Sequence, residues 1–411
     1  MINRMAARNL MRRKRRTLIT ALSIALGIFL SVTFTAMGDY SYTNMINTSA
    51  KMGFGHVTIE PAGYNASPTL SKRIGAAGEI RDLLLAQPGV EKAIVRISGQ
   101  AMFASASKSA GGVFIGIDPA METPDANVFL SSVTEGAVFD GTSGRGALVG
   151  SRLAEKLNLK IGKKFIYTTT SAEGDIVSEM ARVSGVFKTG VDEVDGATVL
   201  LPIDSARQTL GYAPDEATIV SVFINDYRDA NIARDAAAAV LAGRRVESMT
   251  WSQTQAELAG HVEVDRAFNY FYQFLVGIMI AAGILNTMMM GVLERQREFG
   301  VMLAIGMRPS RLFMMVLVES IWLGLIGLAL GVIVTAPWYV YMHQVGLDLS
   351  RYWQEGTDVS GVLIDPVLKF RLYRESVMWI LAGVFSLAVA AGLYPAWKAG
   401  RVVPVESLKT I

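Results

Sequence analysis

Cysteine is absent from the sequence, which excludes disulfides, thiolate metal sites and cysteine nucleophiles. Histidine is nearly so: His56, His261 and His343 are the only three, far apart and without a metal-ligand spacing such as HxxxH. No GxxxxGK[ST] stretch is present to cradle a nucleotide phosphate. Charge is scarce at 18%, and the net value of +3 gives no bulk attraction for nucleic acid. No Ser-His-Asp arrangement or carboxylate pair suggests catalysis.

Apolar residues are what the chain has in excess. They make up 51% of 411 residues, and the mean hydropathy is +0.34. That balance fits a protein built partly in lipid and partly in water. A membrane span needs roughly 20 apolar residues, and four stretches qualify: 17–38, 267–293, 312–342 and 376–397. Aromatic residues mark their ends. The first could be a cleaved signal peptide, but its apolar run exceeds the usual length of about 7–15 residues.

Basic residues set the expected orientation. "RRKRR" (Arg12 to Arg16) precedes the first span; Arg295, Arg297, Arg308 and Arg311 lie between the second and third; Lys398, Arg401 and Lys409 follow the fourth. Short loops rich in Lys and Arg stay in the cytoplasm. Both termini (1–16 and 398–411) and segment 294–311 are therefore expected inside. Residues 39–266 and the shorter loop 343–375 are expected outside. "RRKRR" is read as a topology anchor that touches anionic lipid rather than nucleic acid.

The excursion 39–266 has a mixed α/β pattern. Runs 55–61, 92–103, 111–118, 197–203 and 218–226 read as strands bounded by Gly, Pro and Asp. Residues 151–159 and 229–243 read as helices, the second capped by Asp229 and ended by Gly243. "GTSGRG" (141–146) reads as a loop. The polar stretches after the first span and before the second have helical character, so both spans are candidates to continue outward as a stalk; separate short helices are the alternative. The acidic group Asp192, Glu193 and Asp195 lacks calcium-loop spacing and reads as a solvated turn.

Between the second and third spans runs "ERQREFGVMLAIGMRPSRLF". Phe299, Met302, Leu303 and Ile305 stand at helical spacing, with Glu294, Arg295, Arg297 and Glu298 as charged flanks. Gly300 and Gly306 permit close approach or a bend, and Pro309 ends the turn. Glu319 is the only carboxylate well inside a span, placed to pair with a nearby basic group or to cap the interface. Gly324, Gly327 and Gly331 set small residues along the third span, where helices approach closely.

"ERQREFGVMLAIGMRPSRLFMMVLVESIWLGLIGLALG" resembles the FtsX-type permease domain of the MacB superfamily of ABC transporters. "YPAWKAGRVVPVESL" resembles that family's C-terminal motif. "GRGALVGSRLAEKLNLKIGKKF" and "SGVFKTGVDEVDGATVLLPIDSARQTLGY" resemble its periplasmic domain. "LDLSRYW" and "GVFKTG" are more similar to the lipoprotein-releasing LolC/LolE branch than to MacB.

The resemblance implies a four-span α-helical membrane protein of the type VII ABC transporter architecture. A large mixed α/β periplasmic domain of two subdomains would be inserted between spans 1 and 2, in the bacterial inner membrane. It implies no enzyme activity and no cofactor in this chain. A separate cytoplasmic ABC ATPase dimer would bind ATP and Mg and drive periplasmic motion. Further implied partners are a second permease subunit, identical or paralogous, and a periplasmic carrier or adaptor. The cargo would be a lipoprotein or another amphipath; MacB-like efflux and FtsX-like signalling are the alternatives. Arg297, Glu298, Phe299, Gly300, Met302, Leu303, Ala304, Ile305 and Gly306 become the expected ATPase-docking core.

Overall fold

The computed structural model describes residues 14–349, 358–359, 362–363 and 367–402. Arg12 and Arg13, the end of "LDLSRYW", the "PVESL" motif and Lys409 lie outside the described residues. The chain divides into two units, one of residues 14–41, 264–348 and 367–402 and one centred on residues 42–263.

In chain order, α1 (Lys14–Ser49) ends in a π turn (Ala50–Phe54) and β1 (Val57–Pro61) follows. Then come α2 (Ala77–Leu85), β2 (Val90–Ala104), β3 (Ser109–Ile117), α3 (Val128–Ser131), β4 (Val133–Gly136) and β5 (Gly146–Gly150). Next are α4 (Ser151–Leu157), β6 (Lys164–Thr170), β7 (Ile176–Phe187), α5 (Asp192–Asp195) and β8 (Thr198–Pro202). The domain closes with α6 (Ile203–Leu210), β9 (Ile219–Ile224), α7 (Ala230–Val240), β10 (Val246–Thr250) and α8 (Trp251–Thr254). The helices α9 (Ala256–Glu294), α10 (Gln296–Ala304), α11 (Pro309–Gln344) and α12 (Arg374–Gly400) follow.

Among the described residues, four helices are long and apolar enough to cross a membrane: α1, α9, α11 and α12. Helix α1 runs unbroken well past the apolar run, and α9 begins well before its own, so helical structure does extend beyond both spans. Within the bundle, Ile24 and Ile28 of α1 share a core with Ile280 and Ile284 of α9, Leu323 of α11 and Ala388 of α12. Polar groups join the same helices. The hydroxyls of Thr20 and Thr287 lie 2.6 Å apart, and Gln273 Nε2 donates to Thr35 Oγ1 at 2.9 Å. In a hydrocarbon core such pairs satisfy groups that have no water to turn to. Further along α1, the Asp39 carboxylate accepts from Tyr373 N at 3.4 Å and Ser376 Oγ at 3.0 Å. It thus ties α1 to the start of α12, where a carboxylate complements the helix dipole.

In the α/β unit, strands β10-β1-β9-β2 form an antiparallel sheet in that order. With α2 and α7 as crossovers this is the split β-α-β arrangement of ferredoxin-like folds. A second subdomain is inserted between β2 and β9. There β2, β3, β8, β5, β7 and β6 pair successively, and β6 pairs β2 again, so six strands close a ring. Alternation fills it: Phe103, Phe114, Val149, Phe165, Tyr167, Val183 and Val199 join one core, while Ile115, Leu148 and Leu200 pack with Phe129 of α3 and Phe187. Strand β2 serves both subdomains. Its pairing with β9 ends at Arg96↔Ile219, and its pairing with β3 begins at Ile97↔Gly116.

Two local expectations need correction. Asp226 caps the 3₁₀ turn before α7, its carboxylate accepting from Arg228 N; Asp229 makes no such side-chain cap. The acidic turn is not fully solvated either. Asp195 is buried, taking bonds from Thr189 N at 2.9 Å, Thr189 Oγ1 at 2.7 Å and Gly190 N at 3.2 Å, whereas Asp192 pairs with Arg152 at 2.8 Å. Buried amides need such partners, and a carboxylate at the end of a short helix supplies three bonds at once.

Candidate coupling site

Helix α10 is the short helix between two long spans, and its two faces differ. Phe299 and Gly300 are buried, and Phe299 belongs to the bundle core with Met302 packed against it. Arg297, Glu298, Val301, Ala304 and Ile305 are exposed, Ile305 by 82%. The apolar set expected to face a partner therefore splits. Phe299 and Met302 anchor the helix to the bundle, Leu303 is half-buried, and Val301 joins Ile305 on the open face. Helical spacing fixes which residues share a face but not what that face meets.

Charge pins the start of α10. Arg295 Nε meets Glu298 Oε2 at 3.0 Å, and its Nη1 meets Glu319 Oε2 of α11 at 3.4 Å. The same guanidinium lies 5.0 Å from the centre of the Phe299 ring. Glu319, the carboxylate inside a span, thus has a basic partner in the first residue of the connection. A charge near lipid is costly to leave alone, so such pairing is what its position demands. Beside it, Arg16 of α1 meets Glu294 at the end of α9 at 3.3 Å. Sequence reasoning missed this pair; a basic run before one span and an acid after another were its only signal. Gly306 closes the segment with φ of 100°, a conformation that costs a side chain free energy. Pro309 stands at the first turn of α11, where its missing N–H is harmless.

The three glycines of α11 pack within the chain. A Cβ on Gly327 would sit 2.7 Å from Ile24 Cβ, one on Gly331 2.5 Å from Ile28 Cδ1, and one on Gly324 2.9 Å from Ala388 Cβ. Helix α11 therefore lies against α1 and α12 at close range.

His56 is buried, accepting from Ile224 N at Nδ1 (3.1 Å) with Nε2 2.9 Å from Asn47 Oδ1. Burial holds its pKa down at about 4, against the pull of Asp226. It fastens the end of α1 to β9. Neighbouring Gly55, with φ of 72°, has room for no side chain: a Cβ would lie 2.8 Å from the Val222 backbone.

Comparison with known proteins agrees with this architecture. The MacB-like periplasmic core domain matches residues 17–240 and the FtsX-like permease C-terminal domain residues 270–404. The chain is 22% identical over 406 residues to the lipoprotein-releasing system transmembrane protein LolC of Xylella fastidiosa, covering 96% of this chain and 93% of that protein. It is 24% identical to the macrolide export ATP-binding/permease protein MacB of Bordetella avium, covering 96% of this chain but 57% of that protein. Among solved structures, the extracellular domain of the noncanonic ABC-type transporter YknZ from Gram-positive bacteria aligns with 47% of this chain and 99% of its own, at 16% identity and a TM-score of 0.35. By sequence and by its arrangement of spans and inserted domain, the chain belongs to the MacB superfamily of ABC transporter permeases, the family of LolC, LolE and MacB.

Proposed function

We propose that this permease transmits the motion of a separate cytoplasmic ABC ATPase, docked on the open face of α10, to its α/β domain on the periplasmic side of the inner membrane. The observation that carries this reading is the two-faced helix: Phe299 seats it in the bundle and Arg295 ties it to Glu319, while Arg297, Glu298, Val301 and Ile305 stay open. A helix held firmly on one side and free on the other suits a lever. Gly300 and Gly306 give the seat and the exit of that helix.

The cargo favoured by the relatives is a lipoprotein or another amphipath leaving the outer leaflet. The energetics agree, since drawing an acyl chain from lipid costs about 0.8 kcal/mol per CH₂. The partners on this reading are the ATPase dimer with its ATP and Mg, a second permease subunit and a periplasmic carrier. On this reading the nucleotide and its metal are bound by the ATPase rather than by this chain. The test is double charge reversal, Arg297→Glu with Glu298→Lys, in the full-length protein purified with its ATPase. Loss of co-purification and of stimulated ATP hydrolysis is expected; retention of both would overturn the docking assignment.

A further inference from the structure

The α/β domain contains a buried ionic network that neither transport nor membrane insertion accounts for. Arg96, only 1% exposed, is the largest of the fully buried side chains among the described residues, and Glu122 is equally buried. They form a forked pair, Nε to Oε1 at 2.8 Å and Nη2 to Oε2 at 2.6 Å. Nη1 reaches Ser221 Oγ of β9 at 3.4 Å, and that hydroxyl donates to the Gly53 carbonyl in the π turn ending α1. On the other side Asn127 Nδ2 donates to Glu122, while Asn127 Oδ1 accepts from Phe129 N and Leu130 N at the start of α3. Phe129 in turn packs on Phe187 with ring centres 5.2 Å apart. The Phe223 ring lies 5.9 Å from the Arg96 guanidinium.

Position gives the network its meaning. Arg96 is the last β2 residue paired with β9 and precedes the first paired with β3. The fork therefore sits where the shared strand passes from one subdomain to the other. From it, bonded groups lead to the end of α1, to the ferredoxin-like sheet and, through Glu122 and Asn127, to the wall of the ring. Burying such a pair gains little stability over an apolar one of equal size, whereas its geometry is directional. Packing alone would hold the two subdomains together; a planar fork bonded on both sides also fixes the angle between them.

We propose that Arg96 and Glu122 form the joint that sets the angle between the two subdomains, so that displacement of the end of α1 moves both as one body. This rests on the coupling function above only for its purpose; the joint itself is measurable without a partner.

The absence of cysteine makes the test direct. Spin labels on Ala86→Cys, next to α2, and Ser107→Cys, on the β2–β3 turn, report the separation of the subdomains in the full-length protein in detergent. The unaltered joint is expected to give one narrow distance distribution. Arg96→Met with Glu122→Leu should at least double its width while leaving the melting midpoint within a few degrees. An unchanged width in that folded variant would overturn the proposal. Glu122→Gln, which keeps the shape and removes the charge, should broaden the distribution to an intermediate extent, and it serves if the double variant fails to fold; no broadening there counts equally against the joint. A second measurement adds the co-purified ATPase with ATP and vanadate. The parent's label distance is then expected to stay fixed, because both subdomains move together; a change in it would overturn the joint. Failure of the coupling function would show instead as ATP hydrolysis that the charge reversal at Arg297 and Glu298 leaves untouched.

Discussion

His56 is held neutral by its surroundings, and the sign of its effect follows. Its folded pKa of about 4 lies below the ordinary 6.5, so between these values the unfolded chain binds the extra proton and acid favours unfolding. Glu60 runs the other way. Burial pushes its carboxyl up to about 7, helped by Glu247 across the strand pair, so the folded state gains relative stability as pH falls from 7 toward 4.5. The two must be separated by mutation. The stability advantage of the parent over His56→Leu should shrink as pH drops from 6.5 to 4, by at most about 3 kcal/mol, read from urea unfolding at each pH. An advantage that stays constant across that window would mean that His56 does not hold its neutral form. None of this was legible in the sequence: a lone histidine before a strand carries no sign of the Ile224 amide that occupies Nδ1. Arg96 is the same case, since a basic residue within a strand reads as solvated until Glu122, 26 positions on, is brought beside it.

At the scale of elements, the contact between α1 and α11 gives two glycines different weights. An added Cβ at Gly327 meets the branched, rigid Ile24 Cβ, whereas at Gly331 the nearest atom is the terminal Ile28 Cδ1, which can rotate away. Gly327→Ala should therefore lower the melting midpoint in detergent more than Gly331→Ala, with a difference of about 1–2 kcal/mol; the reverse order would refute the rigid-neighbour argument. Helix α10 yields another outcome. Arg295 and Glu319 are each mostly buried, 12% and 16% exposed, so removing one leaves the other poorly solvated. Single substitutions Arg295→Met and Glu319→Leu should each cost about 2 kcal/mol, and the double substitution less than their sum. Strict additivity in that cycle would mean that the pair does not interact. The spans themselves were readable because an apolar run of bilayer length has few other uses. Strands β1, β2, β3, β8 and β9 announced themselves by β-branched runs. Strands β6 and β7 did not, because exposed Ile166 and Ile176, and Glu179 in the phase of buried Ala181 and Val183, break the alternation that marks a half-buried strand. Phe299 marks the limit at the coupling site: its spacing on α10 was visible, but only packing shows it turned into the bundle.

At the scale of the whole molecule, the proposed topology sets the segment 294–311 and the α/β domain on opposite sides of the membrane. Single cysteines at Ser310 and Ser107 in the cysteine-free background should react with a membrane-impermeant maleimide from opposite sides of sealed spheroplasts, Ser107→Cys from without and Ser310→Cys only after lysis. Labelling of Ser310→Cys in intact spheroplasts would invert the orientation and with it the docking assignment.

Closure of the six-stranded ring carries one more consequence. Strand pairing on this scale joins residues distant in sequence, which no periodicity reveals, and here the last pairing returns to β2, the strand the ferredoxin-like sheet also uses. Neither subdomain can release β2 without breaching the other. Amide protons of Val95 and Phe103, though they belong to different subdomains, should accordingly exchange with deuterium at one common, slowest rate, as members of a single unfolding unit.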